Sequence, residues 1–161
     1  MLNAANALHV SGAGKTRYVA ERCAAVLRTL TLRANFLHPQ EAMHGELSSV
    51  HRGDAVLLMS ASGNSPELVE LASCCRARHA TVLAITLSPQ NPLIDSSNYT
   101  VSIPLATQGT DTIVPTMASI SLMLIGDALC SAIAGEAEVD INAIAEGHPA
   151  GTFFTEKGSP K

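Results

Sequence analysis

Apolar runs without polar alternation recur along this chain, and segments of helical periodicity follow most of them. The run Ala55–Met59 contains only apolar residues, which is typical of a strand buried on both faces of a parallel sheet. A helix is predicted from Pro66 to about Arg78, because proline in the first turn and Glu67 just inside it are helix-start signals. These two segments predict one strand–turn–helix unit.

The same unit repeats along the chain. Predicted strands cover residues 8–10, 34–37, 55–59, 81–86 and 99–103, and predicted helices cover 15–30, 39–48, 66–78 and a long segment from 116. Residues 88–92 are predicted as a turn, and the tail from 147 as mostly irregular. Such alternation implies right-handed crossovers and a sheet covered on both faces. We therefore predict an α/β fold, a three-layer sandwich around a five-stranded, doubly wound parallel sheet of flavodoxin-like type.

The segment 117–134 is apolar enough to be compared with a membrane span. Polar or small residues interrupt it at Ser119, Ser121, Gly126, Asp127 and Ser131. It also follows a proline–threonine start signal, as helices of globular domains often do. We therefore predict a central helix packed on every side, and no membrane partner.

Length and composition predict one domain over residues 1–151 and an irregular C-terminal tail over 152–161. The chain has 161 residues, of which 47% are hydrophobic, so it can bury a sizeable core. Only 15% are charged, and a weakly charged, apolar surface favours a homo-oligomer, either a dimer or a tetramer. The net charge of −4, with scattered basic residues, argues against a nucleic-acid partner, so any anionic ligand must be held locally.

Four cysteines, Cys23, Cys74, Cys75 and Cys130, show no metal-ligand spacing. We interpret them as small hydrophobic residues in a reducing compartment, and we predict no metal site. The N-terminus shows no basic region followed by an apolar core, so no signal peptide is predicted. Together these features predict a cytoplasmic protein.

The segment Ser60–Ser65, with the sequence Ser-Ala-Ser-Gly-Asn-Ser, lies between a predicted strand and a predicted helix. Ser65 is placed as the N-cap of that helix. Three hydroxyls and a glycine therefore lie where backbone N–H groups and the helix dipole favour an anion, which predicts a phosphate site. The alternative is an ordinary turn rich in capping residues.

Gly12–Thr16 resembles the end of a nucleotide-binding glycine loop but fails both nucleotide motifs. A Walker A loop would need glycine where His9 stands, and a dinucleotide fingerprint would need glycine where Arg17 stands. The second strand also ends in His38 rather than an acidic residue. What remains is a glycine turn with Lys15 at a helix start, which favours an anionic partner there. The alternative is a solvated lysine.

Taken together, these motifs resemble the sugar isomerase (SIS) domain family, in its arabinose-5-phosphate isomerase branch. The resemblance covers roughly residues 8–151, and five or more pieces occur in the family's order. These pieces are Gly12–Lys15, His38–Leu47, Ser60–Ser65, Pro115–Thr116, Gly126–Leu129 and Gly147–Gly151. The two histidine–proline pieces distinguish this branch from other SIS enzymes, which share the serine segment only.

The resemblance implies a SIS fold, a sugar-phosphate ligand and aldose–ketose isomerisation through an enediolate, with neither a metal nor a nicotinamide cofactor. Histidine suits proton transfer near neutral pH, and a lysine stabilises developing negative charge. His44 or His148 would come from a neighbouring subunit of a homo-oligomer with shared active sites. The implied catalytic residues are Lys15, His44, His148 and Gln108, and the implied phosphate- and substrate-binding residues are Gly14, Ser60, Ser62, Asn64, Ser65 and Thr116.

Two residues depart from the pattern of the family. Asn64 and Gln108 stand where the isomerases carry acidic residues, and an amide can hydrogen-bond but cannot accept a proton. Asp111 is a substitute if its loop turns it inward. The sequence therefore leaves two hypotheses, a phosphosugar isomerase and a phosphosugar-binding protein without turnover.

Overall fold

The computed structural model describes residues 5–105, 116–136 and 139–149, where strands and helices alternate in chain order. The strands are β1 (Leu8–Gly12), β2 (Ala34–Phe36), β3 (Ala55–Ser60), β4 (Thr81–Thr86) and β5 (Tyr99–Ser102). The helices are α1 (Thr16–Thr29), α2 (Pro39–Met43), α3 (Pro66–Ala77), α4 (Pro92–Asp95), α5 (Thr116–Glu136) and α6 (Ile141–Glu146). A short 3₁₀ turn, Glu46–Ser49, follows α2.

The strands form one parallel sheet in the order β2-β1-β3-β4-β5, which confirms the predicted five-stranded, doubly wound α/β fold. Leu57 of β3 pairs with Val10 on one side and with Leu83 on the other. Helices α1 and α5 pack on one face of the sheet, and α2 and α3 pack on the other. The domain boundary predicted at residue 151 lies outside the described residues.

The central strand is apolar at every position because each face of the sheet meets its own helical layer. Leu57 and Met59 belong to the core under α1 and α5, whereas Val56 and Leu58 belong to the core under α2 and α3. All six residues of β3 are buried. Burial of both faces explains why β3 lacks the polar alternation of a one-sided strand.

Three local predictions were wrong or incomplete. The segment 88–92 was predicted as a turn only, but α4 begins in it, because the Asn91 side chain accepts a hydrogen bond from the Ile94 amide and Pro92 starts the helix. The helix predicted over 39–48 breaks at Gly45, whose φ of 127° lies outside the helical region. Helix α6 was not predicted, and Asp140 caps it through the Asn142 amide.

The prediction that α5 is packed on every side was also wrong. Its buried residues, Ala118, Leu122, Gly126, Cys130 and Ile133, form a single stripe. That stripe packs on α1, where Arg22 and Asp127 form an ion pair at 2.8 Å. The opposite face leaves Ile120 58% exposed and Leu124 70% exposed, and by length and composition α5 is apolar enough to cross a membrane.

The four cysteines are free thiols, and three of them are buried. Cys23 of α1 and Cys130 of α5 place their Sγ atoms 3.6 Å apart, in the contact between the two helices. The hydrogen bond with Cys130 and burial together raise the pKa of the Cys23 thiol, and burial raises the pKa of Cys75 to about 12. Cys23, Cys75 and Cys130 are therefore buried packing residues, as the sequence predicted for all four cysteines, whereas Cys74 is only half-buried.

Candidate functional site

The sheet has a crevice at the carboxyl ends of β1 and β3, where the direction of winding reverses. From β1 the chain winds outward to β2, whereas from β3 it winds the other way to β4 and β5. Gly12 pairs with Met59, so the loop that follows β1 lies beside the loop that follows β3. Ligands of open α/β sheets bind at such a switch point.

The serine loop, residues 60–65, folds partly on its own hydroxyls. The Ser60 side chain is buried, and its Oγ accepts a hydrogen bond from the Gly63 amide at 3.0 Å. The Ser62 Oγ accepts one from the Asn64 amide at 3.2 Å. The backbone amides of Gly63 and Asn64 are therefore used inside the loop. Each hydroxyl still has its own O–H to donate to a ligand.

Ser65 occupies the N-cap position of α3, as predicted, but its side chain makes no capping hydrogen bond. Its carbonyl accepts the amides of Leu68 and Val69, each at 3.1 Å. Pro66 has no amide hydrogen, so the first N–H group at this helix end is that of Glu67. The described residues provide no partner for the Ser65 hydroxyl. This hydroxyl and the positive end of the helix dipole remain available to an anion.

Lys15 lies on the other side of the crevice, directly before the first residue of α1. Its side chain is exposed and forms no ion pair with any residue that the structure describes. Gly12 makes this turn possible, because an added Cβ would lie 2.9 Å from the Thr16 carbonyl oxygen. Gly14 has a φ of 57° and is exposed beside Lys15. The Lys15 ammonium and the backbone of the glycine turn thus face solvent at the end of β1.

His44 and His148 lie in different parts of the molecule. His44 is exposed at the end of α2, the helix that follows β2 directly. His148 is exposed at the end of α6, and its Nδ1 lies 2.8 Å from the Ile144 carbonyl oxygen. His148 lines a cavity of about 310 Å³ together with Arg28 and Thr29 from the last turn of α1.

His148 is therefore not brought to Lys15 within one chain. Lys15 precedes the first residue of α1, and the cavity that contains His148 lies at the last turn of the same helix. The 14 residues of α1 span roughly 20 Å at a rise of about 1.5 Å per residue. The structure thus assembles Lys15 and the serine loop at one edge of the sheet and leaves His148 at the other.

The remaining predicted site residues are only partly described. Thr116 is the first residue of α5 and is exposed. Asn64 is exposed in the serine loop, and its backbone N–H donates to the Ser62 hydroxyl oxygen. Gln108 and Asp111 lie outside the described residues, so their predicted roles stay predictions. Within residues 5–105, 116–136 and 139–149, no group of three metal-ligating side chains is assembled.

Sequence reasoning missed Asn91, whose side chain packs against the serine loop. Gly63 has a φ of 68°, and the carboxamide of Asn91 fills the space that a Cβ on Gly63 would need. The dipeptide Asn91–Pro92 carried a signal, since asparagine before proline is typical of a helix start. What the sequence did not reveal is that this turn lies behind the serine loop.

Comparisons with known proteins agree with this architecture. Residues 1–126 match the SIS domain family. Arabinose 5-phosphate isomerase GutQ of Salmonella typhi is 30% identical over 145 residues, which cover 89% of this chain and 45% of that protein. An uncharacterized protein of Chlamydia pneumoniae is 33% identical over 142 residues, which cover 88% of this chain and 43% of that protein. The chain thus spans less than half the length of these curated relatives.

Two solved structures show the same fold with sugar phosphates bound. Protein c3406 of E. coli CFT073, in complex with A5P, has a TM-score of 0.85 at 25% identity and covers 92% of this chain and 80% of that one. The Vibrio vulnificus NanR protein, complexed with ManNAc-6P, has a TM-score of 0.68 at 20% identity and covers 92% of this chain and 52% of that one. The likeness to NanR concerns the fold alone.

The packing of Gly63 against Asn91 predicts a difference between two glycines with similar backbone angles. Gly63→Ala and Gly14→Ala both place a side chain at positive φ, which costs about 1–2 kcal/mol. Only Gly63→Ala also forces a Cβ into a filled space, and overpacking costs about 1–3 kcal/mol more, whereas Gly14 has open space around it. Urea unfolding measures the free energy of unfolding of both variants. Equal losses would contradict the packing described for Gly63.

Proposed function

Because this chain belongs to the SIS domain family of phosphosugar isomerases, we propose that it interconverts arabinose 5-phosphate and ribulose 5-phosphate by proton transfer through an enediolate. The serine loop at the switch point of the sheet is the observation that carries this proposal. The 30% identity to GutQ and the likeness to the A5P-bound c3406 protein support the choice of substrate. No redox cofactor takes part, because the reaction moves a proton without net oxidation.

The serine loop supplies the groups that hold the phosphate. The hydroxyl of Ser65 and the amide of Glu67 donate at the positive end of α3. Ser62 donates its own O–H, which is polarised because its oxygen already accepts the Asn64 amide. Ser60 is nearly enclosed, so its main contribution is the shape of the loop through its bond to Gly63. Thr116 completes the cradle from the start of α5.

Lys15 and the two histidines act on the sugar carbons. A base removes the proton on C2 of the aldose, and the same proton equivalent is returned to C1 after the enediolate forms. The hydroxyl proton of O2 is lost and the carbonyl oxygen O1 gains a proton, so the aldose becomes the ketose without other reactants. Lys15 stabilises the negative charge of the enediolate, and His44 and His148 exchange the protons. Asn64 and Gln108 orient hydroxyls by hydrogen bonds.

His148 reaches this site only from a second copy of the chain. Within one chain it lies at the opposite end of α1 from Lys15. The apolar face of α5, formed by Met117, Ile120 and Leu124, is the surface proposed to meet the second copy. Insertion of α5 into a membrane would break its ion pair between Asp127 and Arg22 and uncover the stripe that it buries against α1.

Binding without turnover is the second candidate, and one observation favours it. Asn64, like Gln108, stands where isomerases of this family carry an acidic residue, and an amide cannot accept a proton. Loss of a positioned acid or base lowers the rate about 10²–10⁴-fold. Such a protein would keep the phosphate cradle and bind sugar phosphates without converting them.

An isomerase assay joined to a thermal-shift titration separates the two candidates. The wild-type protein is expected to form ribulose 5-phosphate from arabinose 5-phosphate and to be stabilised by both compounds. His148→Ala is expected to lower kcat about 10²–10⁴-fold while the stabilisation by substrate persists. His79→Ala is the matched control, because His79 lies at the far end of α3 and is expected to leave the rate unchanged. Stabilisation without conversion would favour the binding protein, and no response would contradict both.

The proposed contact between copies is tested by Leu124→Glu. This change places a charge on a residue that is 70% exposed, so it is expected to leave the free energy of unfolding of one chain within about 0.5 kcal/mol. Light scattering is expected to give a dimer or tetramer for the wild type and a monomer for the variant, with loss of isomerase activity. Tyr99→Glu, on the edge strand and 56% exposed, is the control. A monomeric wild type that sediments with lipid vesicles would contradict the proposal.

A further inference from the structure

Asn91 is a buried amide whose donor and acceptor atoms are both hydrogen-bonded, and it lies outside the proposed phosphate cradle. Only 7% of its surface is exposed. Its Nδ2 donates to the Ser88 carbonyl at 2.9 Å and to the Thr86 hydroxyl at 3.4 Å. Its Oδ1 accepts the Ile94 amide at 3.0 Å and so caps α4. The side chain therefore uses both ends of its amide at once.

The turn after β4 is fixed by several such bonds that meet at one carbonyl. The Ser88 carbonyl accepts the Asn91 amide, the Thr86 hydroxyl at 2.9 Å and the Ser102 hydroxyl at 2.9 Å. Thr86 ends β4 and Ser102 ends β5, so the network joins the carboxyl ends of two neighbouring strands. This turn is consequently a rigid support.

The serine loop rests on that support through its backbone. The Leu87 amide donates to the Ala61 carbonyl at 3.0 Å, and the Leu93 amide donates to the Gly63 carbonyl at 3.2 Å. Between these two bonds, the carboxamide of Asn91 fills the space beside Gly63. The loop is thus held from behind at residues 61 and 63. The hydroxyls of Ser62 and Ser65, which the proposed cradle uses, take no part in these bonds.

We propose that Asn91 is a positioning residue that holds the serine loop in the conformation that binds phosphate. The inference rests on the proposed function of that loop. A helix cap alone would need only the Oδ1 atom, and serine or aspartate caps a helix about as well as asparagine. The positioning role also requires the hydrogen bonds that Nδ2 donates, and a side chain that fills the space beside Gly63.

The variants Asn91→Ser and Asn91→Asp keep the cap and remove the amide donor. Asn91→Asp has the same shape, and its added negative charge lies behind the proposed anion site. Binding of inorganic phosphate and of arabinose 5-phosphate is measured by calorimetry on the full chain. The dissociation constants are expected to rise about tenfold for Asn91→Ser and further for Asn91→Asp. KM for arabinose 5-phosphate is expected to rise with them, while kcat stays within about twofold, because the phosphate lies away from the reacting carbons.

Asn98→Ser is the matched control, because the Asn98 Oδ1 accepts the Val82 amide at 2.9 Å at the opposite end of β4. It is expected to change stability without changing phosphate affinity. A further variant combines Asn91→Ser with Ser62→Ala. If Asn91 acts through the loop, the two effects are not additive. The double variant is then expected to bind phosphate only slightly more weakly than whichever single variant has the lower affinity.

The outcomes separate this inference from the proposed function. If the wild type binds neither compound, both are wrong. If the wild type binds them and Asn91→Asp binds equally well, Asn91 is a cap only and the inference is wrong, whereas the proposed function stands. The inference would also be overturned if the losses of phosphate affinity from Asn91→Ser and Ser62→Ala were fully additive in the double variant. If Asn91→Asp fails to fold because its carboxylate faces the Ser88 carbonyl, Asn91→Ser decides the question, because it keeps the cap and adds no charge.

Discussion

Pairing of β3 with β1 on one side and with β4 on the other is the constraint on which the rest of this structure depends. It buries β3 on both faces and fixes its register, with Gly12 opposite Met59. The chain passes from β1 toward one edge of the sheet and from β3 toward the other edge. The loops after β1 and β3 therefore diverge and leave a crevice between them. The site is therefore a consequence of strand order, and its chemistry is added by whichever residues occupy the two loops.

The serine loop combines a rigid backbone with unsatisfied donors. Ser60 and Ser62 each accept an amide of their own loop, which gives the loop its shape. Asn91 and the amides of the turn after β4 support it from behind. Ser65 makes no cap, so the end of α3 keeps both a hydroxyl and the dipole for a ligand. Groups fixed in advance bind an anion without an entropic cost of ordering.

Elements whose signal is periodic could be predicted from the sequence, and elements fixed by tertiary contacts could not. Strand β4 was predicted at its observed bounds from a short run rich in β-branched residues. Helix α4 has four residues, too few to show a period, and depends on one cap. The serine loop was predicted from its hydroxyls, but the missing cap of Ser65 was not. The exposed face of α5 and the distant position of His148 depend on how a single chain packs, which residue types alone do not reveal.

The central claim is that the loop after β3 holds the phosphate of the sugar, and a crystal structure with arabinose 5-phosphate bound tests it most directly. The account predicts phosphate oxygens within hydrogen-bonding distance, about 2.5–3.2 Å, of the Ser62 and Ser65 hydroxyls and of the Glu67 amide. It also predicts that the sugar carbons extend toward Lys15. Phosphate bound instead in the cavity beside Arg28, with the serine loop vacant, would contradict the account.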